Sequence, residues 1–213
     1  MIEYIVYNRW TGQPQFTAKI DARPDTGERI KRGLAVEWAV QNRSSLSSAR
    51  LEFADLRGAN LTDADFRGAD LWYANLTAAT LKGAYLEDAN FDRAILKDTI
   101  FEGAKFGEAP AIPNIHSAVY GAASQEGALN MCSWHQNSPC GTTHCRAGWV
   151  VNLAGKEGLE LEKIGGTAAA ALAIYAASDP GFLARHRAPD FYESNEDALE
   201  DMRKMAQEEA ALA

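Results

Sequence analysis

Residues 51–105 read, in fives, L-E-F-A-D, L-R-G-A-N, L-T-D-A-D, F-R-G-A-D, L-W-Y-A-N, L-T-A-A-T, L-K-G-A-Y, L-E-D-A-N, F-D-R-A-I, L-K-D-T-I, F-E-G-A-K. A large apolar residue recurs at 51, 56, 61, 66, 71, 76, 81, 86, 91, 96, 101 and 106. Alanine stands two positions before nearly every one of them, with Thr99 the substitute. The pattern runs from Leu46 to about Ala109. A period of five fits neither regular template. On a helix, five residues overshoot one turn by about 140° and smear the leucines round the cylinder. On a flat strand, an odd spacing throws successive leucines onto opposite faces. Both conflicts vanish if the backbone turns a corner once per repeat. Four repeats then close a square coil, every Leu or Phe points at one axis, and the small alanine points inward beside the corner. Coils stack at the strand spacing of about 4.7–4.9 Å, each contacting only its neighbours. At twenty residues per coil the stretch predicts about three coils, roughly 15 Å of rod.

The A-[DN]-[LF]-x-x register of these residues resembles that of the pentapeptide-repeat proteins, over about a third of the chain. The resemblance implies a right-handed quadrilateral β-helix. Some members of that family act as DNA mimics, in which a rod of duplex-like width and dense negative charge occupies the DNA groove of gyrase or another DNA-binding enzyme. Two features here depart from that pattern. The rod is short, and Arg57, Arg67, Lys82, Arg93, Lys97 and Lys105 are interspersed among its acids. A smaller mimic aimed at a restriction or CRISPR effector remains the sharpest expectation from the resemblance. The three-part layout also resembles uncharacterised bacterial and phage-borne accessory proteins.

The chain has 213 residues, 46% of them apolar, enough for a repeat module with flanking domains. The expected division is 1–45, an N-terminal β-hairpin and capping helix; 46–110, the repeat β-helix; and 111–213, a small α-helical domain. The fold class is thus mixed β/α. No window approaches 18 consecutive apolar residues and no basic n-region follows Met1, so a cytoplasmic protein without membrane contact is expected. Three cysteines fit a reducing compartment better than a disulfide scaffold. The net charge of −8 divides as +2 over 1–45, −4 over 46–110 and −6 over 111–213. Without a basic stripe, direct nucleic-acid binding is not expected.

Residues 3–10 and 16–21 are β-rich and T-G-Q-P-Q between them has turn chemistry, which predicts a hairpin. From Glu28 to Asn42, Ile30, Leu34, Val36, Ala39 and Val40 form one apolar helix face. A solenoid end leaves strand edges and core open, so hairpin and helix are expected to cap it. Tyr4, Tyr7 and Trp10 are expected to pack on the cap helix. Beyond Pro110 and Pro113, helices are predicted at 115–123, at 143–154 with Thr142 or Thr143 as N-cap, at 167–177, and at 194–212 with Ser194 and Asp197 as a capping box.

Outward positions twenty apart form columns. Phe53, Tyr73 and Arg93 make one, beside Glu52, Trp72 and Asp92; Asp65, Tyr85 and Lys105 make another. Phe53, Trp72 and Tyr73 therefore share one outer face, and exposed aromatics at that density mark interfaces; the alternative is cover by the chain's own termini. The acidic candidates for partner binding are Asp63, Asp65 and Asp70. Ile95 and Ile100 take the place of the usual Asp or Asn, which predicts that the C-terminal region folds back over them.

One constellation carries reactive side chains: Cys132, His135, Cys140, His144 and Cys145. Cys132-x-x-His135 with Cys140 and His144 has workable separations for zinc, yet a second C-x-x-C or H-x-x-x-H pair is absent. Cys145 in the first turn of a helix would have a lowered pKa, with a nearby His as base, but no third orienting group is identifiable. The preferred reading is structural: small buried hydrophobes, with Trp134 and Trp149 filling the core. No cofactor is expected.

These observations lead to a non-catalytic protein-binding module, with inhibition of a DNA-acting bacterial enzyme as its sharpest form. The rivals are a thiol enzyme or zinc domain built on the Cys132–Cys145 cluster, and a self-associating scaffold that dimerises through the coil end or the Phe53–Tyr73 face. Cys145→Ala spares a binding module and abolishes a thiol enzyme. Charge reversal at Asp63, Asp65 and Asp70 does the opposite.

Overall fold

Each repeat turns its corner in the same way. The alanine N–H donates to the carbonyl of the Leu or Phe three residues earlier, at 3.1 Å for Ala54 to Leu51 and 2.9 Å for Ala74 to Leu71 and Ala94 to Phe91. The residue just before that alanine has positive φ, +61° at Phe53, +67° at Gly58, +56° at Asp63 and +54° at Tyr73. This is the geometry of a type II β-turn. Between corners, one residue per repeat pairs in parallel with its counterpart twenty positions on, from Arg50 with Asp70 to Tyr85 with Lys105. A coil is thus twenty residues with four corners. Asp or Asn precedes the leucine because its side chain accepts from the N–H two residues on. Asn60 accepts from Thr62 at 3.2 Å, Asp70 from Trp72 at 3.2 Å and Asn75 from Thr77 at 3.0 Å.

The computed structural model describes residues 1–131, 135–138, 141–185, 188–189, 191 and 194–212, with only the backbone described for 135–138 and 141–143. The chain divides into two compact units, 1–107 with 183–189, and 108–182 with 190–213. In the first unit every repeat Leu and Phe from Leu46 to Phe101, and every repeat alanine from Ala49 to Ala94, is buried. Thr99 takes an alanine place by donating its hydroxyl to the Leu76 carbonyl at 2.8 Å.

The coil start is covered from the N-terminal side. Strands β1 (Ile2–Tyr7) and β2 (Pro14–Ile20) form an antiparallel hairpin, followed by helix α1 (Glu28–Gln41). Past β1 the chain pairs with the first coil: Asn8 bridges Ala49, Arg9 N–H donates to the Ser48 carbonyl, and Arg50 N–H donates to that of Tyr7, both at 2.8 Å. Helix α1 approaches the next side closely. A Cβ on Gly33 would stand 2.0 Å from the Asp55 carbonyl oxygen, so only glycine permits this contact. The Asp55 N–H donates to the Arg29 carbonyl at 3.0 Å, and Arg32 donates to the Glu52 carbonyl. This seating turns the helix from the expected face. Gly33, Ala35, Val36 and Ala39 are buried, while Ile30 is 49% exposed. Tyr7 and Trp10 also depart from expectation: strand alternation leaves Tyr7 exposed, and Trp10 at the hairpin tip is 71% exposed. Phe16 packs against Trp38 instead, with centroids 6.2 Å apart.

Residues 183–189 return to the coil unit, where the Ala188 N–H donates to the Thr99 carbonyl at 3.2 Å. The return meets the last coil beside Ile100, which is half-buried, but leaves Ile95 42% exposed. The predicted cover of that column is therefore partial.

The second unit contains helix α2 (Ile115–Ala123), strands β3 (His135–Ser138) and β4 (Gly141–His144), helix α3 (Arg146–Leu153), helix α4 (Gly155–Ser178), the start of the short α5 (Phe182–Arg185), and α6 (Asn195–Leu212). The helix expected from Thr143 begins only at Arg146. His144 is held extended by donating to Ala128 and accepting from Asn130, and Cys145 is the N-cap. Helix α4 is two helices meeting at Gly166, whose φ of +82° no interior helical residue adopts. At α6, Ser194 Oγ accepts from the Asp197 N–H at 3.1 Å, as the capping box predicts. Among the described residues no helix is long and apolar enough to cross a membrane.

Candidate docking face on the coils

The corner position before each repeat alanine demands left-handed backbone, which costs a residue with a side chain roughly 1–2 kcal/mol. Glycine meets the demand at 58, 68, 83 and 103. Ser48, Asp63, Ala78, Asp88 and Asp98 meet it with short side chains, and on one column the chain places the bulky Phe53, Tyr73 and Arg93, at φ +61°, +54° and +57°. Bulky residues are rare in this region, and such strain clusters at functional positions.

The column is an ordered stack. The Phe53 and Tyr73 rings lie 5.4 Å apart and 11° from parallel. Trp72 packs edge-on against both, at 5.1 Å from Phe53 and 4.5 Å from Tyr73. Below them the Arg93 guanidinium sits 5.4 Å over the Tyr73 ring and donates to its hydroxyl at 2.5 Å. Phe53 is 39% exposed, and Trp72 and Tyr73 are half-buried. The sequence columns thus bring together the three aromatic candidates as expected.

The acidic candidates are arranged differently. Asp65 accepts two hydrogen bonds from Arg67, both at 2.8 Å, which hold its carboxyl below the usual range. Asp55 and Arg57 repeat the motif at 2.8 and 2.7 Å. Asp70 accepts from Asn90 at 3.0 Å and lies 3.8 Å from the Arg9 guanidinium. Asp63 is exposed at a left-handed corner of its own. The column of Asp65, Tyr85 and Lys105 closes with Lys105 Nζ 3.8 Å from the Tyr85 ring centre and Arg67 at 5.6 Å on it. Two of the three acidic candidates are therefore already matched by cations of the same chain. The D-x-R spacing at 55–57 and 65–67 was the signal for this.

Of the Cys/His candidates, Cys132, Cys140 and the side chain of His135 lie outside the described residues, as does Trp134. His144 is buried with its ring edge-on to Trp149 at 4.7 Å. Cys145 does not sit in a first helical turn. As N-cap its sulfur accepts from the Gly148 N–H at 3.3 Å, but burial outweighs that bond and pushes the thiol up to about 11. The lowered pKa expected of a nucleophile is reversed. Among the described residues no group of three His, Cys, Asp or Glu is placed to hold a metal ion.

The sequence reading passed over a polar core in the same unit. Arg146, fully buried, donates to Asp201 and, at 3.4 Å, to the Tyr175 hydroxyl. The His116 ring stacks on Tyr175 at 5.4 Å, with Nε2 3.3 Å from Asp179 Oδ2. Burial lowers the His116 pKa against the pull of Asp179. A lone charge in the apolar run R-A-G-W-V-V was the available signal.

The pentapeptide-repeat family model matches residues 44–83 and 74–109, in 8 copies. No curated protein matches the chain. Three solved structures are similar to parts of it. A pentapeptide-repeat protein of the cyanobacterium Cyanothece 51142 is 34% identical over 28% of this chain and 40% of its own, with a TM-score of 0.27. One from the Arabidopsis thaliana thylakoid lumen is 35% identical over 31% and 46%, with a TM-score of 0.30. HetL, involved in heterocyst differentiation regulation in the cyanobacterium Nostoc sp. strain PCC 7120, is 36% identical over 27% and 30%, with a TM-score of 0.15. The chain spans less than half the length of each. The five-residue turn, the buried Ala and Leu register and the family match agree: residues 44–109 of this chain are pentapeptide repeats.

Proposed function

We propose that the coils are a rigid, non-catalytic module that docks another protein through Phe53, Trp72 and Tyr73. The observation that carries this reading is the stacked, part-exposed cluster of Phe53, Trp72 and Tyr73, two of whose rings stand at left-handed corners. A stacked aromatic cluster with little side-chain freedom left to lose is the composition of an interface hot spot. In this reading the coils are the right-handed quadrilateral β-helix that pentapeptide repeats imply, and its stiffness preorganises the face.

The DNA-mimic form of the reading, directed at gyrase or at a restriction or CRISPR effector, needs unpaired carboxylates at Asp63, Asp65 and Asp70. The Arg67 and Arg9 contacts work against it. The aromatic face is therefore the proposed contact, and a DNA-acting enzyme is one partner class for it.

Site-directed photocrosslinking tests the proposal. A photoreactive phenylalanine analogue at Phe53 is expected to crosslink one partner protein in bacterial lysate, while the same analogue at Asp63 gives a much weaker product. Efficient crosslinking at Asp63 with none at Phe53 refutes the aromatic face and favours the acidic one.

A further inference from the structure

The hairpin has a free edge. Asn8 donates its N–H toward β2, to the Gln13 carbonyl, whereas the Arg9 N–H and the Tyr7 carbonyl bond to Ser48 and Arg50 on the opposite side. Backbone alternation then turns the polar groups of Ile2, Tyr4 and Val6 toward β2. Those of Glu3 and Ile5, with the Tyr7 N–H, face away from it. No described residue makes a backbone hydrogen bond with them.

A groove of about 500 Å³ runs along this edge, with Glu3 to Tyr7 on one wall and Glu28, Arg32 and Arg50 on the other. Edge strands are ordinarily kept single by Lys, Pro, a bulge or a covering element. Ile2–Val6 contains no Lys or Pro, and the ladder irregularity lies beyond it, at Val6/Tyr7. Ile5 and Tyr7, on the outer face, are 41% and 40% exposed.

We infer that β1 pairs antiparallel with β1 of a second copy of this chain, joining two hairpins into one four-stranded sheet. The register follows from the edge. Arg50 already occupies the Tyr7 carbonyl, so an incoming strand must stop before it, which centres the two-fold axis on Tyr4. Glu3 then stands opposite Ile5 of the second copy, and the two such pairs exchange four backbone hydrogen bonds. Within one chain Glu28 meets Lys31 at 3.2 Å, Arg50 lies 3.7 Å from Glu52 and Arg32 donates to the Glu52 carbonyl, so association must exchange or extend these contacts, and the pattern of charge selects a second copy as the occupant. Glu28 and Arg32 are one helical turn apart on α1, so a two-fold axis sets each Glu28 toward the Arg32 of the other copy. It likewise brings each Glu3 toward the Arg50 end of the other groove. The walls carry two acids and two bases, and a two-fold interface matches like surfaces to themselves. This inference is independent of the aromatic docking face.

Sedimentation equilibrium of the full chain over a concentration series tests it. The wild type is expected to reach the mass of two chains. Ile5→Pro deletes an outward N–H without touching the β2 ladder, and is expected to give single-chain mass with an unchanged thermal midpoint. Glu3→Lys and Arg50→Glu are each expected to weaken association at least tenfold, and the double variant to restore it. The charge pair decides the matter if Ile5→Pro lowers the midpoint. A wild type at single-chain mass throughout overturns the inference, including the case where the edge takes an extended peptide of another protein. So does a dimer indifferent to these substitutions, or a double variant no tighter than the single ones.

Discussion

The coil unit and the helical unit solve the problem of a buried core by opposite means. In the coils one rule, repeated every five residues, sets corner, core and register together, and each coil needs only its neighbours. The helical unit has no repeat. Its centre holds Arg146, Tyr175 and His116, polar side chains that are tolerable only because particular partners far along the chain meet them. A periodic core leaves its surface free to vary, which is where Phe53, Trp72 and Tyr73 appear. An aperiodic core commits its polar residues to structure.

The largest effect expected is in the coils. Leu71→Ala empties a fully buried axial position that no neighbouring side chain can refill, and is expected to cost about 3–4 kcal/mol in denaturant unfolding. Leu159→Ala on α4, 44% exposed, is expected to cost less than about 0.5 kcal/mol. A loss below about 1 kcal/mol at Leu71 would mean that the coils are not close-packed in the way the repeat requires.

In the helical unit, Asp201→Ala leaves the buried Arg146 cation short of its carboxylate. The expected loss is about 3 kcal/mol, toward the low end for buried pairs because the Asp201 side chain still meets solvent. Arg146→Met in that background is expected to recover most of it, since the cost is an uncompensated charge rather than missing volume. Equal instability of the double variant would show that the guanidinium is needed for its shape.

Acid separates the two units further. His116 has its folded pKa lowered from 6.5 by burial, so it contributes stability above about pH 6.5 that is lost as pH falls through its folded value. Asp55 and Asp65 have theirs lowered from 3.8 by Arg57 and Arg67, so their contribution is present above pH 3.8 and is lost only below it. Tryptophan and amide-exchange probes are expected to show the helical unit weakening first on acidification, and His116→Phe to remove that early phase. Simultaneous loss of both units would contradict the separation.

The smallest effect tests the corners. Ala78 is exposed at φ +58°, so Ala78→Gly relieves left-handed strain and is expected to stabilise the coils by about 0.5–1 kcal/mol. The same change at Ala170, buried in helical backbone, is expected to destabilise by at least about 1 kcal/mol.

The two units also differed in how far their residues could be read beforehand. The coil followed from L-x-x-A-[DN] because one backbone solution satisfies a period of five, and stacking at twenty placed Phe53 over Tyr73 without any tertiary knowledge. What that reading missed were local contacts with no periodic signature. Arg57 and Arg67 turn back on Asp55 and Asp65, and Gly33 lets α1 roll its expected apolar face so that Ile30 meets solvent. In the second unit, helix α6 was legible from its own cap at Ser194. Cys145 was misread as a first-turn thiol because the pairing of His144 with residues 128–130, which delays the helix, is a long-range fact. Arg146 meets a partner 55 positions away and left only the oddity of one charge in an apolar run.

The proposed contact for a partner is the aromatic corner, not the acidic band or the Cys145 region. Affinity capture with the full chain tests it most directly, comparing wild type, Trp72→Ala with Phe53→Ala, Asp63→Lys with Asp65→Lys and Asp70→Lys, and Cys145→Ala, each at low and high salt. A single salt-resistant partner is expected, retained by the charge-reversed and Cys145 variants. Loss of a hot-spot aromatic costs about 2 kcal/mol or more, roughly thirtyfold in affinity, so the aromatic variant should lose it. A partner released by salt, lost on charge reversal and kept by the aromatic variant would rule out the aromatic corner.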